Sequence, residues 1–153
     1  EAMIAYCQAH GFILRLIETM PMGHTGRDAR FMSLQPLIES LKQRFQLVDG
    51  IIPGGGPARY LVSPEGSFSL GFITPISQHF CETCNRVRLT VDGSLHLCLG
   101  PKDRLDLRSL IRGGATDNEL DEALTEALLR KPERHEFVEK PERTIRFMSM
   151  TGG

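Results

Sequence analysis

The strongest constraint on the fold of this chain is a cysteine-rich segment, CETCNRVRLTVDGSLHLCLG, at residues 81–100. It holds three of the four cysteines: Cys81 and Cys84 form a C-x2-C pair, and thirteen residues separate Cys84 from Cys98. Outside a secreted disulfide framework, cysteines clustered in this way indicate a metal or redox site.

The spacing leaves the kind of site open. Zinc would normally take a fourth ligand, for which His79, His96 and Cys7 are candidates. Alternatively, the three thiolates could hold three irons of a four-iron cube and leave the fourth iron open to another ligand. The remaining interpretation is that the cysteines are buried and only pack.

The same segment is predicted to form a β-hairpin with unlike faces. Alternation places Arg86, Arg88 and Thr90 on one face and Val87, Leu89 and Val91 on the other. We therefore expect one cationic face and one face that packs in the core.

The Asp92-Gly93 turn of this hairpin allows two registers. A two-residue loop would pair Cys98 with Val87, whereas a three-residue loop with Gly93 in a left-handed conformation would pair Cys98 with Arg86. If the thiols and the arginines form one site, the second register is expected.

Composition narrows the class of protein. The chain has 153 residues and a net charge of −1, which gives it no general attraction to nucleic acid. No apolar run approaches the roughly 20 residues that span a bilayer, and no signal peptide is evident. We therefore expect a cytoplasmic protein that binds neither membrane nor nucleic acid. Because the chain lacks an initiator Met and opens within an apparent helix, we expect it to be part of a longer protein.

The first third of the chain reads as α/β. A helix over residues 1–10 ends at Gly11, FILRLIETM (12–20) is short and apolar enough for a buried strand in a parallel sheet, and residues 21–31 have loop chemistry. Ser33 can cap the next helix, which returns the chain to the sheet through the strand FQLVDGII.

The later part is predicted to be richer in strands. PGGGPAR is expected to form a loop, and ARYLVS and FSLGFITPIS are expected to pair antiparallel around a PEG turn. Asp106 should cap a helix that ends at Gly113, and Thr116 with Glu119 forms a capping box for another. We expect an α/β region at 1–48 and a β-rich region with helices at 49–153.

One string is specific enough to indicate a family. FITPISQHFCETCNRVRLTVDGSLHLCL, with LRLIETMPMG upstream and a terminal Gly-Gly, closely resembles the carboxyl-terminal half of the molybdenum cofactor biosynthesis protein A family. These are radical S-adenosylmethionine (SAM) enzymes with GTP 3′,8-cyclase activity, and the resemblance runs from about residue 12 to residue 153. It implies the end of an incomplete TIM-type barrel followed by a β-rich iron–sulfur region.

The resemblance also implies roles for particular residues. Cys81, Cys84 and Cys98 would hold the second [4Fe-4S] cluster of the family, whose open iron binds the guanine of GTP. Arg86 and Arg88 would bind the substrate. This agrees with the chemistry of the residues, because fixed guanidinium groups suit a triphosphate.

Four further residues have both a functional and a plain structural interpretation. Arg15 lies within an apolar strand, where a salt bridge would explain it, but it matches a substrate-binding arginine of the family. Met20 matches a SAM contact and is otherwise an ordinary core methionine. Gly152 and Gly153 would form a frayed end, whereas the tail of the family enters the active site and supports catalysis.

The resemblance also indicates which part of the family's chemistry these residues lack. The family's first cluster, held by an amino-terminal C-x3-C-x2-C motif, cleaves SAM to a radical that abstracts the 3′ hydrogen of GTP, and C3′ then attacks C8. These 153 residues lack that motif, so we expect them to supply GTP binding and the second cluster without turning over alone. The expected partners are GTP, the missing amino-terminal half, a second copy in a homodimer, and cyclic pyranopterin monophosphate synthase as the next enzyme. The alternative is a zinc-stabilised module that binds nucleic acid or protein.

Overall fold

The computed structural model of the chain describes residues 1–54, 56–100, 103–135 and 137. Its contacts divide the chain into two compact units. Unit 1 comprises Glu1–Thr19 and Arg30–Phe80, and unit 2 comprises Met20–Ala29 and the described residues from Cys81 onward. The boundary expected after residue 48, where the chain was predicted to become β-rich, stays a prediction.

The elements are short and mix helices with strands. The helices are α1 (Ala2–Ala9), α2 (Gly23–Asp28), α3 (Gln35–Arg44), α4 (Leu107–Arg112) and α5 (Asp117–Leu129). The strands are β1 (Leu14–Ile17), β2 (Val48–Gly50), β3 (Arg59–Val62), β4 (Ser69–Ile73), β5 (Arg88–Leu89), β6 (Ser94–His96) and β7 (Arg104–Asp106). No helix in the described part of the chain combines the length and apolarity needed to cross a membrane.

Unit 1 is a four-stranded sheet with the order β1-β4-β3-β2. The predicted parallel pairing of β1 is present, because β1 pairs parallel with β4. The predicted antiparallel hairpin of β3 and β4 is also confirmed. Helix α3 does return the chain to the sheet, but β2 joins at the far edge, where it pairs antiparallel with β3.

The core of unit 1 lies on one face of this sheet, where Leu41 of α3 and Leu34 at its amino-terminal cap are buried. The buried members of the core are Ile4, Leu34, Leu41, Leu47, Leu61, Leu70 and Phe72. Leu37, one turn after Leu34, is 37% exposed. The buried face of α3 is therefore narrow.

Three local predictions need correction. Strand β1 covers Leu14–Ile17 rather than 12–20, and the loop expected at 21–31 contains α2, closed by backbone hydrogen bonds such as Gly26 N–H to Met22 O at 3.1 Å. Helix α3 begins one residue later than expected, with Leu34 at the cap and Ser33 Oγ accepting from Gln35 N–H at 3.3 Å. Turn-forming residues can close a short helix when their backbone groups find local partners.

A buried carboxylate ties three segments of unit 1 together. Glu18 is 2% exposed and accepts hydrogen bonds from the backbone N–H groups of Leu34, Ile76 and Ser77 at 3.0, 3.1 and 2.9 Å. The hydroxyl of Ser77 donates to the same carboxylate. Burial acts to raise the pKa of Glu18, but these four hydrogen bonds outweigh it and hold the pKa below its usual value. The end of β1 is thereby joined to the start of α3 and to the segment after β4.

Unit 2 contains a three-stranded antiparallel sheet with the order β5-β6-β7. Both predicted helix starts are confirmed: the carboxylate of Asp106 accepts from Ser109 N–H at the start of α4, and Thr116 with Glu119 forms a complete capping box for α5. Helix α4 ends at Gly113, as expected.

The hairpin adopts the register with the three-residue loop. Arg88 pairs with His96 and Leu89 with Leu95, and Gly93 has a φ of 80°. Hydrogen bonds from Thr90 and Ser94 to the carboxylate of Asp92 support the turn and lower the pKa of that carboxyl. Of the two registers that the sequence allows, this is the one expected if the thiols and the arginines form one site.

The burial of the hairpin faces is opposite to the expectation. Val87, Leu89 and Val91 are 38%, 62% and 110% exposed, whereas Arg86, Arg88 and Thr90 are half-buried. Alternation fixes which side chains share a face, but not which face the rest of the chain covers. Because β5 is an edge strand of two residues, its apolar face does not reach the core that surrounds β6.

Removing the charge of Glu18 should weaken unit 1. Glu18→Gln turns an amide N–H₂ group toward donors that need an acceptor, so we expect its free energy of unfolding at neutral pH to fall by about 2 kcal/mol. A carboxyl whose pKa is lower in the folded state stabilises fully above its unfolded pKa and loses that effect as pH falls through the folded value. The deficit of the variant should therefore shrink below about pH 4.

Urea denaturation between neutral pH and pH values below about 4 measures the free energy of unfolding of the variant and of wild type. Glu39→Gln, an exposed position on α3, is the control and should match wild type. A deficit for Glu18→Gln that stays constant into acid would contradict the role assigned to its charge.

The turn at Gly93 offers a second test. A Cβ there would lie 2.6 Å from Cβ of Arg108, whereas at Gly114, which has a similar φ of 83°, it would meet nothing within 4 Å. Both Ala variants carry the strain of a left-handed backbone, and only Gly93→Ala adds a clash. We expect Gly93→Ala to lower the free energy of unfolding by about 1–2 kcal/mol more than Gly114→Ala. Equal losses, measured in urea, would show that the close approach to Arg108 is unimportant.

Candidate functional site

The C-x2-C pair is built on a single turn of unit 2. Cys81–Thr83 form a short 3-10 helix, and Cys84 N–H donates to Cys81 O at 3.0 Å. Cys81, Cys84 and Cys98 are all half-buried and none forms a disulfide. The three sequence-predicted thiols are therefore free.

The pKa of the Cys81 thiol depends on burial and on the other two cysteines of the segment. Burial raises the pKa of the Cys81 thiol, and Cys98 and Cys84 act in the same direction. The backbone N–H of His135 and the charge of Lys131 act in the opposite direction. A thiolate at Cys81 therefore has both neighbouring thiols and nearby donors.

The donor set fits a soft metal. Thiolates are the ligands of iron–sulfur clusters and zinc, and three of them belong to this one unit. Within the described ranges, no group of three His, Cys, Asp or Glu residues is arranged to hold a single metal ion.

Lys131, His135 and Phe137 lie against part of the cysteine segment, which sequence reasoning did not anticipate. Lys131 Nζ donates to Leu97 O at 2.8 Å, next to Cys98 in the chain. The rings of His135 and Phe137 stack with centroids 4.3 Å apart, and a Cβ on Gly100 would lie 3.3 Å from the Phe137 ring. No hydrophobic periodicity in this part of the sequence indicates these contacts.

The arginines of the hairpin lie beside the cysteines in the register. Extending the observed pairing by two residues beyond Arg88 and His96 would bring Arg86 opposite Cys98. Arg86 and Arg88 are both half-buried. In this register the Arg86 side chain and the Cys98 thiol would share one face, as expected if they belong to one site.

Arg15 occupies a separate setting in unit 1. It is exposed, and its guanidinium carbon lies 5.7 Å from the centroid of the Tyr60 ring. No salt bridge joins it to a carboxylate among the described residues, so the structural ion pair considered for it is not found there. An exposed guanidinium keeps its water and needs no such partner.

A cavity of about 530 Å³ adjoins Arg15. It is lined by Arg15, Arg59 and Tyr60 together with residues of the segment from Asp49 to Ala58. The glycine-rich loop, which carries no phosphate-binding motif, thus borders a cavity beside two arginines. Sequence reasoning missed Tyr60, whose only signal was its place in a predicted strand.

The remaining predicted positions are less defined. Met20 is half-buried at the start of the short unit 2 segment, where its carbonyl accepts from Met22 N–H at 2.8 Å. Its contact with SAM stays a prediction. Gly152 and Gly153 lie outside the described residues.

Comparison with known proteins agrees with the cysteine and arginine pattern. Residues 12–137 match the family model described as Molybdenum Cofactor Synthesis C. The chain is 44% identical over 158 residues to the GTP 3′,8-cyclase of Agrobacterium fabrum, covering 99% of this chain and 45% of that protein. It is 46% identical over 156 residues to the GTP 3′,8-cyclase of Caulobacter vibrioides, with the same two coverages.

The chain spans about half the length of the curated relatives that it matches. The family match, by contrast, covers most of this chain and includes both the cysteine hairpin and the Arg15 strand. The chain therefore belongs to the Molybdenum Cofactor Synthesis C family.

Proposed function

We propose that these residues are the substrate-binding part of a GTP 3′,8-cyclase, which converts GTP to 3′,8-cyclo-7,8-dihydro-GTP for molybdenum cofactor synthesis. The observation that carries the proposal is the cysteine segment of unit 2, in which three free, half-buried thiols flank a short antiparallel hairpin and two half-buried arginines lie in and just before its first strand. The name that the curated relatives carry supports it.

Cys81, Cys84 and Cys98 would hold a [4Fe-4S] cluster. When bound, such a cluster supplies one iron without a thiolate ligand, which the guanine base can occupy. The chain's own contribution is to fix the three thiols on one turn and one hairpin. Burial raises the pKa of the Cys81 thiol, and the His135 N–H and the Lys131 charge offset part of this effect.

Arg86, Arg88 and Arg15 would bind the triphosphate. A guanidinium donates paired N–H groups to phosphate oxygens, which both neutralises charge and sets orientation. Arg86 and Arg88 project from the same hairpin as the thiols, so base and phosphates would be held by one short element. The Gly152-Gly153 tail, outside the described residues, would enter the active site and support catalysis.

The complete enzyme needs more than these residues provide. We propose that β1 and its helix end an incomplete TIM-type barrel, whose missing half holds the SAM-cleaving cluster, and that Met20 contacts SAM. We further propose a cytoplasmic homodimer whose product passes to cyclic pyranopterin monophosphate synthase. The residues 1–153 alone would bind GTP without turning it over.

The proposal predicts that iron retention depends on Cys98 and not on Cys7. After anaerobic reconstitution of the complete natural reading frame with iron and sulfide, Cys98→Ala should hold about four fewer irons per chain than wild type. Cys7→Ala, which removes the one cysteine of residues 1–153 that lies outside the motif, should lose no iron. Metal analysis checks both, and zinc bound by the same thiols in protein isolated without air would favour a zinc-stabilised module instead.

A second prediction concerns the phosphate contacts. Arg88→Lys keeps the charge but loses the planar pair of donors, so we expect GTP binding to weaken about tenfold while guanosine binding is unchanged. Arg112→Lys on α4, exposed and away from the hairpin turn, is the matched control. Equilibrium dialysis measures both ligands. An unchanged GTP affinity, or an equal loss for guanosine, would remove Arg88 from the phosphate site.

A further inference from the structure

Three residues of unit 1, two of them with side chains, form one row across its sheet. Arg15 of β1 and Tyr60 of β3 both pair with Gly71 of β4, which lies between them. Residues that pair directly across strands share a face of the sheet. Arg15 and Tyr60 therefore lie on the same face, separated only by a glycine.

The missing side chain at Gly71 lets the outer two meet. A Cβ at this position would lie 2.9 Å from Cγ of Arg15 and 2.9 Å from Cε1 of Tyr60. Both contacts are shorter than real Cβ atoms allow, so the arginine stem and the tyrosine ring occupy the space above the glycine. The stem of Arg15 and the ring of Tyr60 therefore pack directly over Gly71.

Contact with the Tyr60 ring restricts the rotamers that the Arg15 side chain can adopt. The guanidinium carbon of Arg15 is 5.7 Å from the Tyr60 ring centroid, within the range of a cation–π interaction. An exposed arginine samples many rotamers and loses that freedom when it binds a ligand. A ring that already holds the guanidinium reduces this loss, as in other preorganised sites.

The surroundings favour an anion. The adjoining cavity of about 530 Å³ is lined by Arg15 and Arg59 and by one carboxylate, Asp49. Asp49 accepts a hydrogen bond from Lys42 Nζ at 2.8 Å, so its charge is already balanced. Arg59 and Asp49 pair with Phe72 and Leu61 of the core face, so Arg15 supplies the cationic group on the face that it shares with Tyr60.

We propose that Tyr60 is a positioning residue that holds the Arg15 guanidinium, above Gly71, in the orientation that binds the phosphate chain of a nucleoside triphosphate. This inference rests on the proposed function and adds a residue to it. Tyr60 touches the arginine rather than the reacting atoms. It acts by keeping one phosphate donor in place.

The test compares GTP with guanosine, which shares the base and lacks the phosphates. In the complete natural reading frame reconstituted with iron and sulfide, Tyr60→Leu should weaken GTP binding about 3- to 10-fold and leave guanosine binding unchanged. Tyr60→Phe keeps the ring and should bind GTP like wild type. Tyr60→Met is a second variant without a ring and should behave like Tyr60→Leu.

Arg44→Gln is the matched control, because Arg44 also lies over an aromatic ring, that of Phe45 at 5.8 Å, and does not line the cavity. It should bind GTP like wild type. Unchanged GTP affinity in Tyr60→Leu and Tyr60→Met, an equal loss for guanosine, or a loss in Tyr60→Phe as large as that in Tyr60→Leu would overturn the inference. Wild-type protein that binds neither ligand would overturn the proposed function and this inference with it.

Discussion

The left-handed backbone at Gly93 is the constraint on which the cysteine hairpin depends. It allows a loop of three residues, so Arg88 faces His96 and the pairing, continued outward, sets Arg86 opposite Cys98. A loop shorter by one residue would move Cys98 to the other face of the hairpin. The space beside this glycine is filled by Arg108 at the start of α4, which couples the turn to the packing of unit 2.

In unit 1, one glycine and one buried carboxylate, Gly71 and Glu18, determine how neighbouring segments pack. Gly71 lets Arg15 and Tyr60 approach each other on the open face of the sheet. On the opposite face, apolar side chains form the core. Glu18, one residue beyond β1, holds the connections around that core through four hydrogen bonds. One face of the sheet thus provides stability, and the other carries the polar pair beside a cavity.

Local chemistry made part of this structure predictable from sequence. The capping residues Asp106 and Thr116 predict where their helices begin, because the side-chain acceptor and the backbone donor are only three residues apart. Such caps depend on neighbours in the chain, and sequence alone contains them. The hairpin register stayed open at the level of sequence, because a glycine with a positive φ suits both loops that the Asp92-Gly93 turn allows.

Features set by distant parts of the chain escaped prediction. Tyr60 meets Arg15 only because both strands pair with β4, which no local pattern reveals. The exposed faces of Val87 and Leu89 depend on β5 being a sheet edge. Lys131 reaches Leu97 across more than thirty residues of chain. Residue type and spacing identified the thiols and arginines, whereas their surroundings depended on tertiary packing.

If Cys81, Cys84 and Cys98 hold a cluster whose open iron takes the guanine of GTP, that cluster should respond to the nucleotide. Electron paramagnetic resonance of the reduced, anaerobically reconstituted protein, recorded alone, with GTP and with ATP, measures this response. We expect a four-iron signal that GTP alters and ATP does not. A four-iron signal that GTP leaves unchanged, or zinc in place of iron on these thiols, would refute the proposed site.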